Sequence, residues 1–459
     1  MEQRKISMPV SASDVIRINK LVTQKQKIIT AIGIFYGNIA FGCAFNTYGP
    51  SITSLQNKYG TDDATISTVF SILTGSYMIG ALLAGIIFNY VNRQLTIAVL
   101  LASIAAMMLL TPHCPTITLY FMTAAVVGIS SGCYDTAQIV WMMEMMQKDC
   151  PPYVQCQHFC YALGANLGSL IMAPFLGVQE TDTTSPPDTT SSNDKTDHSQ
   201  LIKPYTIIAF MLIVSVIYHS IVFIFFRYHP PPPEMIETEL SETSKLTNFT
   251  TKVSQVAEKE SSFGAWSWPK LRMVVLICCF CGAYQSMELC TFQFFPKFGQ
   301  NSDLHLSESA STYVLTGMTA SFAIGRAISI IAIFKISGQY MLCGNLVLMV
   351  IANILLLGWA RNSISMLWAS GIIFGMGFSS VYASFTSYVE RYIYFTNFIG
   401  SMMLVCGSGV AAIYPLIVGS FIEQNPIVLS YTSFFSIIVL IFSFGTLSYL
   451  THKNKTRYL

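Results

Sequence analysis

Long apolar runs separated by short polar breaks dominate the chain. Twelve runs approach or reach the twenty or so residues that an α-helix needs to cross a bilayer. They cover 27–49, 66–91, 94–112, 117–144, 155–176, 205–227, 272–296, 310–335, 339–360, 364–389, 397–420 and 428–450. Most of the breaks are brief. A longer one, "TDTTSPPDTTSSNDKTDHS" (181–199), is polar throughout. The longest follows "FFRYHPPPPE", where four prolines stop the sixth helix. Residues 229–270 are rich in Glu, Ser, Thr and Lys, and read as a solvated linker. The pattern predicts an all-α membrane protein with twelve transmembrane helices in two pseudo-symmetric halves of six. Its expected parts are an N-terminal segment (1–26), a first half (27–228), a linker (229–271), a second half (272–451) and a tail (452–459).

Composition agrees. Of the 459 residues, 53% are hydrophobic and 10% charged, whereas a soluble domain carries about 25% charged residues. Charge placement adds an orientation. Nineteen of the 25 Lys and Arg fall on the side shared by both termini and the linker, and five on the other side; Arg326 lies within a helix. By the positive-inside rule the termini and linker are cytoplasmic, and the plasma membrane is the expected location. The first 26 residues lack the apolar core of a cleavable leader. Most of the 12 cysteines sit in apolar segments as small hydrophobes, and no His/Cys cluster has zinc spacing. The expected partners are the lipid bilayer and a small solute, not nucleic acid, for which no basic motif is present. A monomer is expected to suffice.

Ionisable residues inside the apolar runs are the candidate chemistry. "GISSGCYDTAQIVWMMEM" (128–145) places Asp135 in mid-helix. A charge at the bilayer centre costs at least about 2.5–3.5 kcal/mol, so such groups face a bundle interior or wet cavity. Ser131, Asp135, Gln138 and Met142 share one helix face, as expected of a cavity wall. In "CGAYQSMELCTFQFFPKF", Glu288 repeats the pattern, with Tyr284 and Gln285 beside it. Polar groups next to aromatic rings suit a sugar, whose hydroxyls need partners and whose ring face needs apolar contact. Arg326 is the candidate countercharge. Asn38 and Asn46 of the first helix are candidate contacts for a neutral polar ligand. His158, at the start of the expected fifth helix, reads as a packed or solvent-facing residue. No nucleophile motif, phosphate-cradling loop or metal set points to an enzyme.

Several segments resemble the major facilitator superfamily. "GIIFNYVNRQ" (85–94) is similar to its G-x-x-x-D-R-x-G-R loop: Gly85 and Arg93 fit, while Asn89 replaces the Asp. Within that superfamily the chain resembles the branch of sodium-dependent glucose transporters and major facilitator domain-containing protein 4-like proteins. "FNTYGPSI" (45–52) is similar to an L-G-P-T-L-L-D segment, with Ser54 where the Asp is usual. "GCYDTAQ" (132–138), "QCQHFCYALGANLGSLIMAPFL" (155–176), "YQSME" (284–288) and "SYVERY" (387–392) resemble further elements of the branch. The resemblance implies the major facilitator fold and uptake of a hexose such as glucose by alternating access, either facilitated or sodium-coupled. It makes Asp135, Thr136 and Glu288 candidate sodium ligands, and Gly85, Asn89, Arg93 and Glu390 candidate gating residues. No cofactor is implied beyond sodium or a proton as coupling ion. The competing expectation is a transport-inactive relative acting as a receptor or trafficking partner.

Overall fold

The structure, a computed structural model, describes residues 12–87, 91–146, 150–177, 198–226, 268–333, 335–390, 392 and 397–453. The expected linker lies outside the described residues up to Trp268, as does 181–197 of the polar segment. The described elements are helical. In chain order they are α1 (Ala12–Phe45), α2 (Tyr48–Tyr59), α3 (Asp63–Ile87), α4 (Arg93–Leu110), α5 (Ile117–Met146), α6 (Cys150–Met172) and α7 (Ile202–Phe225). There follow α8 (Trp268–Asn301), α9 (Glu308–Ala332), α10 (Gly338–Gly358), α11 (Ile364–Phe378), α12 (Val381–Glu390), α13 (Asn397–Ala411), α14 (Tyr414–Phe421) and α15 (Val428–Lys453). Eleven spans among the described residues are long and apolar enough to cross a membrane. The twelfth is α6, which has the length but carries more polar residues.

The element ends differ from the apolar runs. α1 begins at Ala12, well before its run, since no Pro or Gly interrupts residues 12–26. It breaks after Phe45 and resumes as α2. α6 starts at Cys150, a turn ahead of its run. α8 passes through Pro296 to Asn301, beyond the predicted end. The tenth span is split into α11 and α12 at Ser379–Ser380, and the eleventh into α13 and α14 ahead of Pro415.

Small residues set the closest helix approaches, as membrane bundles require. Gly128 and Gly132 of α5 lie against Leu73, Ser76 and Tyr77 of α3, and Gly80 of α3 lies against the Ile129 carbonyl. Gly164 of α6 lies against the Ile39 carbonyl of α1. A Cβ at any of these four glycines would run into backbone or the foot of a side chain.

Helices α1–α7 meet α8–α15 along two seams. In one, α6 runs beside α9: Asn166 Nδ2 donates to Thr316 O (2.8 Å) and Thr319 Oγ1 (3.2 Å), and Ser309 Oγ donates to Ala173 O (2.7 Å). In the other, α3 packs on α13 and α14, with Gly419 against Ser67 and Met78 against Gly409. The distal face, opposite the N-terminus of α1, is closed by polar bonds. Buried Lys297 of α8 pairs with buried Asp63 of α3 at 2.6 Å and also donates to Gln56 of α2. Asn301 donates to Asp63 (3.3 Å), Thr53 to Gln300 (2.7 Å), and Ser54 to Glu308. Lys297, assigned to a loop by the apolar pattern, is therefore a buried latch residue. It is carried into the protein because α8 does not stop at Pro296.

Candidate functional site

Asp135 sits at the meeting of three helices. Tyr77 Oη of α3 donates to its Oδ2 at 2.6 Å, and Gln138 Nε2, one turn along α5, donates to its Oδ1 at 2.9 Å. Gln138 is in turn locked to Asn38 of α1 by a reciprocal amide pair: Gln138 Nε2 donates to Asn38 Oδ1 at 2.7 Å, and Asn38 Nδ2 returns the bond to Gln138 Oε1. A buried carboxylate needs such donors, because each unpartnered polar atom in a low dielectric is costly. The polar stripe read from the sequence is corrected here. Ser131 and Met142 are fully buried in helix packing, and Gln138 is engaged with Asn38. Asp135 and its neighbour Thr136 are half-buried; Thr136 shares its helix face with the exposed Val140 and Met143.

The second half contributes from two sides. Glu288 of α8 is half-buried, one turn after Tyr284. The break between α11 and α12 leaves carbonyls without helical partners, and side chains take them up: Tyr284 Oη donates to Phe378 O at 2.9 Å and Arg326 Nε to Ser379 O at 3.3 Å. Arg326 of α9 also donates through a terminal nitrogen to His158 O of α6 at 2.8 Å and lies over the Phe322 ring, 4.3 Å from its centre. It thus spans the seam between the halves. Its guanidinium lies within electrostatic reach of both Glu288 and Asp135.

Tyr161 of α6 marks the centre. Its hydroxyl lies within electrostatic reach of Asp135, Glu288 and Arg326 and accepts from Asn46 Nδ2 at 3.2 Å. Asn46, at the α1–α2 break, also donates to Gly42 O at 3.0 Å. Asn46 is thus bonded to Tyr161, while Asp135, Glu288 and Arg326 act on it at longer range. Gln285 is turned toward α13, its Oε1 against Gly407.

Four further residues join this site. Tyr77 and Tyr161 bond the predicted polar groups, Tyr382 of α12 lies within electrostatic reach of Asp135, and His158 within reach of Arg326. A tyrosine in an apolar helix carries no local sign of a partner on another helix. His158 was legible in principle. With α6 starting at Cys150, it is two turns inside the helix rather than at its mouth.

The candidate gating residues lie elsewhere. Gly85 is an exposed residue of α3. Arg93, at the start of α4, forms an ion pair with Glu144 of α5, so the loop keeps a charge link although Asn89 replaces the family Asp. Asn92 caps α4, accepting from Gln94 N (3.0 Å) and Leu95 N (3.3 Å). Asn89 and the Glu390 side chain lie outside the described residues.

A helical bundle with acids and one arginine converging from two sets of spans defines a multi-pass membrane protein of the transporter class. The Major Facilitator Superfamily model matches residues 34–415, and the chain belongs to that family. Among curated relatives, it is 22% identical to sodium-dependent glucose transporter 1 of Danio rerio, over 83% of this chain and 62% of that protein. It is 21% identical to major facilitator superfamily domain-containing protein 4A of Xenopus tropicalis, over 87% of this chain and 86% of the relative. The chain thus spans under two thirds of the length of the first of these. Among solved structures it resembles the nucleoside transporter NupG (D323A mutant), with TM-score 0.61, 14% identity and coverage of 93% of this chain and 99% of the other. It also resembles a D-xylose-proton symporter, with TM-score 0.61, 11% identity and coverage of 94% and 98%. At these identities the solved structures speak for the fold.

Proposed function

We propose that the protein moves a neutral, hydroxylated solute, a hexose such as glucose, across a membrane by alternating access, coupled to sodium or a proton. The observation that carries the reading is Arg326 of the second half bonded to His158 O of the first, with Asp135 and Glu288, one from each half, within its electrostatic reach. A site assembled from both halves changes when the halves rock, and a closed distal face is what one end state of that cycle requires. Carboxylate and hydroxyl oxygens of Asp135, Glu288 and Tyr161 are suitable donors for a hard cation. The same acids can carry a proton. Arg326 balances charge when the acids are ionised. The termini face the cytoplasm and the distal face lies outside, following the basic residues; the plasma membrane is the proposed location and the monomer the working unit. A relative named as a sodium-dependent glucose transporter supports the solute and ion classes.

The test is uptake of labelled hexose into proteoliposomes, with sodium, with choline in its place, and across pH. Asp135→Asn and Glu288→Gln are run beside the wild type. Sodium-dependent uptake abolished by Asp135→Asn is the expected result. Uptake indifferent to sodium and pH would make the protein a facilitator and Asp135 a structural group. No hexose uptake by a folded, inserted protein would overturn the solute assignment.

A further inference from the structure

The α1–α2 break and α8 enclose a pocket one turn distal to Glu288. Phe45, Asn46, Tyr48, Gly49, Leu289, Phe292 and Gln293 line it. Gly49 allows the two backbones to close on one another: a Cβ there would stand 3.2 Å from the carbonyls of Phe292 and Gln293. The lining holds no formal charge. Gln293 is 8% exposed, and its Oε1 is buried with no hydrogen-bond partner among the described residues. Asn46 uses its amide hydrogens on Gly42 O and Tyr161 Oη, which leaves Oδ1 to accept. The lining therefore brings an unbonded amide oxygen, Gln293 Oε1, together with the rings of Phe45, Tyr48 and Phe292.

A buried carbonyl oxygen without a donor is destabilising, so something that occupies the pocket during the cycle should supply one. The lining itself carries no carboxylate to hold an ammonium group, and the acid one turn away, Glu288, lies within electrostatic reach of Arg326. A hydroxyl donates without bringing charge, and its carbon skeleton suits the rings. We propose that this pocket is a hydroxyl-binding subsite, in which Gln293 Oε1 accepts from one hydroxyl of a neutral polyol and sets which hydroxyl pattern is carried. The proposal deepens the reading of the solute as a neutral hydroxylated molecule and rests on it.

Its test compares wild type with Gln293→Met, which keeps length without the acceptor, and Gln293→Glu, which keeps an acceptor. Glucose and the series of its single-deoxy analogues compete for uptake. The expected pattern is one analogue bound about tenfold more weakly than glucose by wild type, the value of one hydrogen bond. Gln293→Met should weaken glucose by the same factor and no longer distinguish that analogue, while Gln293→Glu should still distinguish it. Gln293→Asn, which draws the amide back by one methylene, replaces Gln293→Met if that variant fails to fold, with the same loss expected. Wild-type affinity and discrimination in Gln293→Met would overturn the subsite and leave hexose transport standing. If wild type carries no hexose, the solute assignment falls by itself. The subsite is then read by thermal stabilisation of purified protein with a panel of pentoses, inositols and disaccharides. Stabilisation present in wild type and Gln293→Glu but absent in Gln293→Met supports it. No stabilisation by any neutral polyol overturns it.

Discussion

Tyr77 and Gln138 decide what Asp135 can do. Both donate to the carboxylate, and Gln138 is itself held by Asn38, so the acid is presented on a fixed mount. A hydrogen bond to a charged group contributes about 1.5–3 kcal/mol. Under sodium coupling, Tyr77→Phe is therefore expected to raise the sodium concentration for half-maximal uptake by roughly tenfold or more. Sodium activation curves in proteoliposomes check this. An unchanged curve with a lowered melting temperature would make Tyr77 a packing residue. Asn38→Leu leaves Gln138 with one amide partner fewer in a buried place and should lower thermal stability by about 1–3 kcal/mol. Asn38 stood out as a polar residue of the first helix, but neither pairing was readable in advance, because Tyr77 and Asn38 lie on other helices and nothing near them in sequence names Asp135 or Gln138.

At the scale of the element, glycines and helix breaks do the positioning. Gly132 of α5 touches the Tyr77 carbonyl, so the same close approach that packs α3 on α5 also brings Tyr77 to Asp135. Gly132→Ala should force the helices apart, costing about 1–3 kcal/mol. Uptake should fall with it, since the Tyr77–Asp135 bond lengthens. Melting temperature and uptake in one preparation read the two effects together. Gly75, whose Cβ would meet nothing, serves as control: Gly75→Ala should be neutral or slightly stabilising. The α11–α12 break works differently. It exposes the Phe378 and Ser379 carbonyls, and their capture by Tyr284 and Arg326 fixes both side chains. The apolar pattern runs unbroken through Ser379–Ser380, which hid this break.

For the whole molecule, the distal latch controls which side the centre faces. Lys297 and Asp63 are both buried, and they join the two sets of helices. Lys297→Met leaves Asp63 as a buried, unpaired charge, which costs about 3–5 kcal/mol when a buried pair is broken. That cost falls on the distally closed state, where the pair is buried, more than on a distally open one. The expected outcome is a population shift toward the open state: reduced uptake and faster reaction of a membrane-impermeant thiol reagent with a Leu289→Cys reporter, at a position that lines the pocket beneath the latch and takes no part in the latch. Asp63→Asn together with Lys297→Met removes the stranded charge and should restore part of the closed population. Equal labelling rates in wild type and Lys297→Met would show that the pair does not gate.

Some of this was present in the chain by itself. Apolar runs long enough to span a bilayer, broken by "PPPP" and a polar stretch, dictate a helical membrane protein, because backbone groups in lipid must be satisfied within the helix. Asp135, Glu288 and Arg326 stood out because a charge in an apolar run is too costly to be incidental. Tertiary structure decided the rest. It placed Tyr161 within electrostatic reach of those charges, turned Ser131 and Met142 into packing, and carried Lys297 from an expected loop to a buried pair with Asp63. It also set the α1–α2 break against Gln293. Each of these is a contact between residues far apart in the chain. Helical periodicity specifies which face a side chain occupies, whereas the helix that covers that face is chosen by packing across the whole bundle.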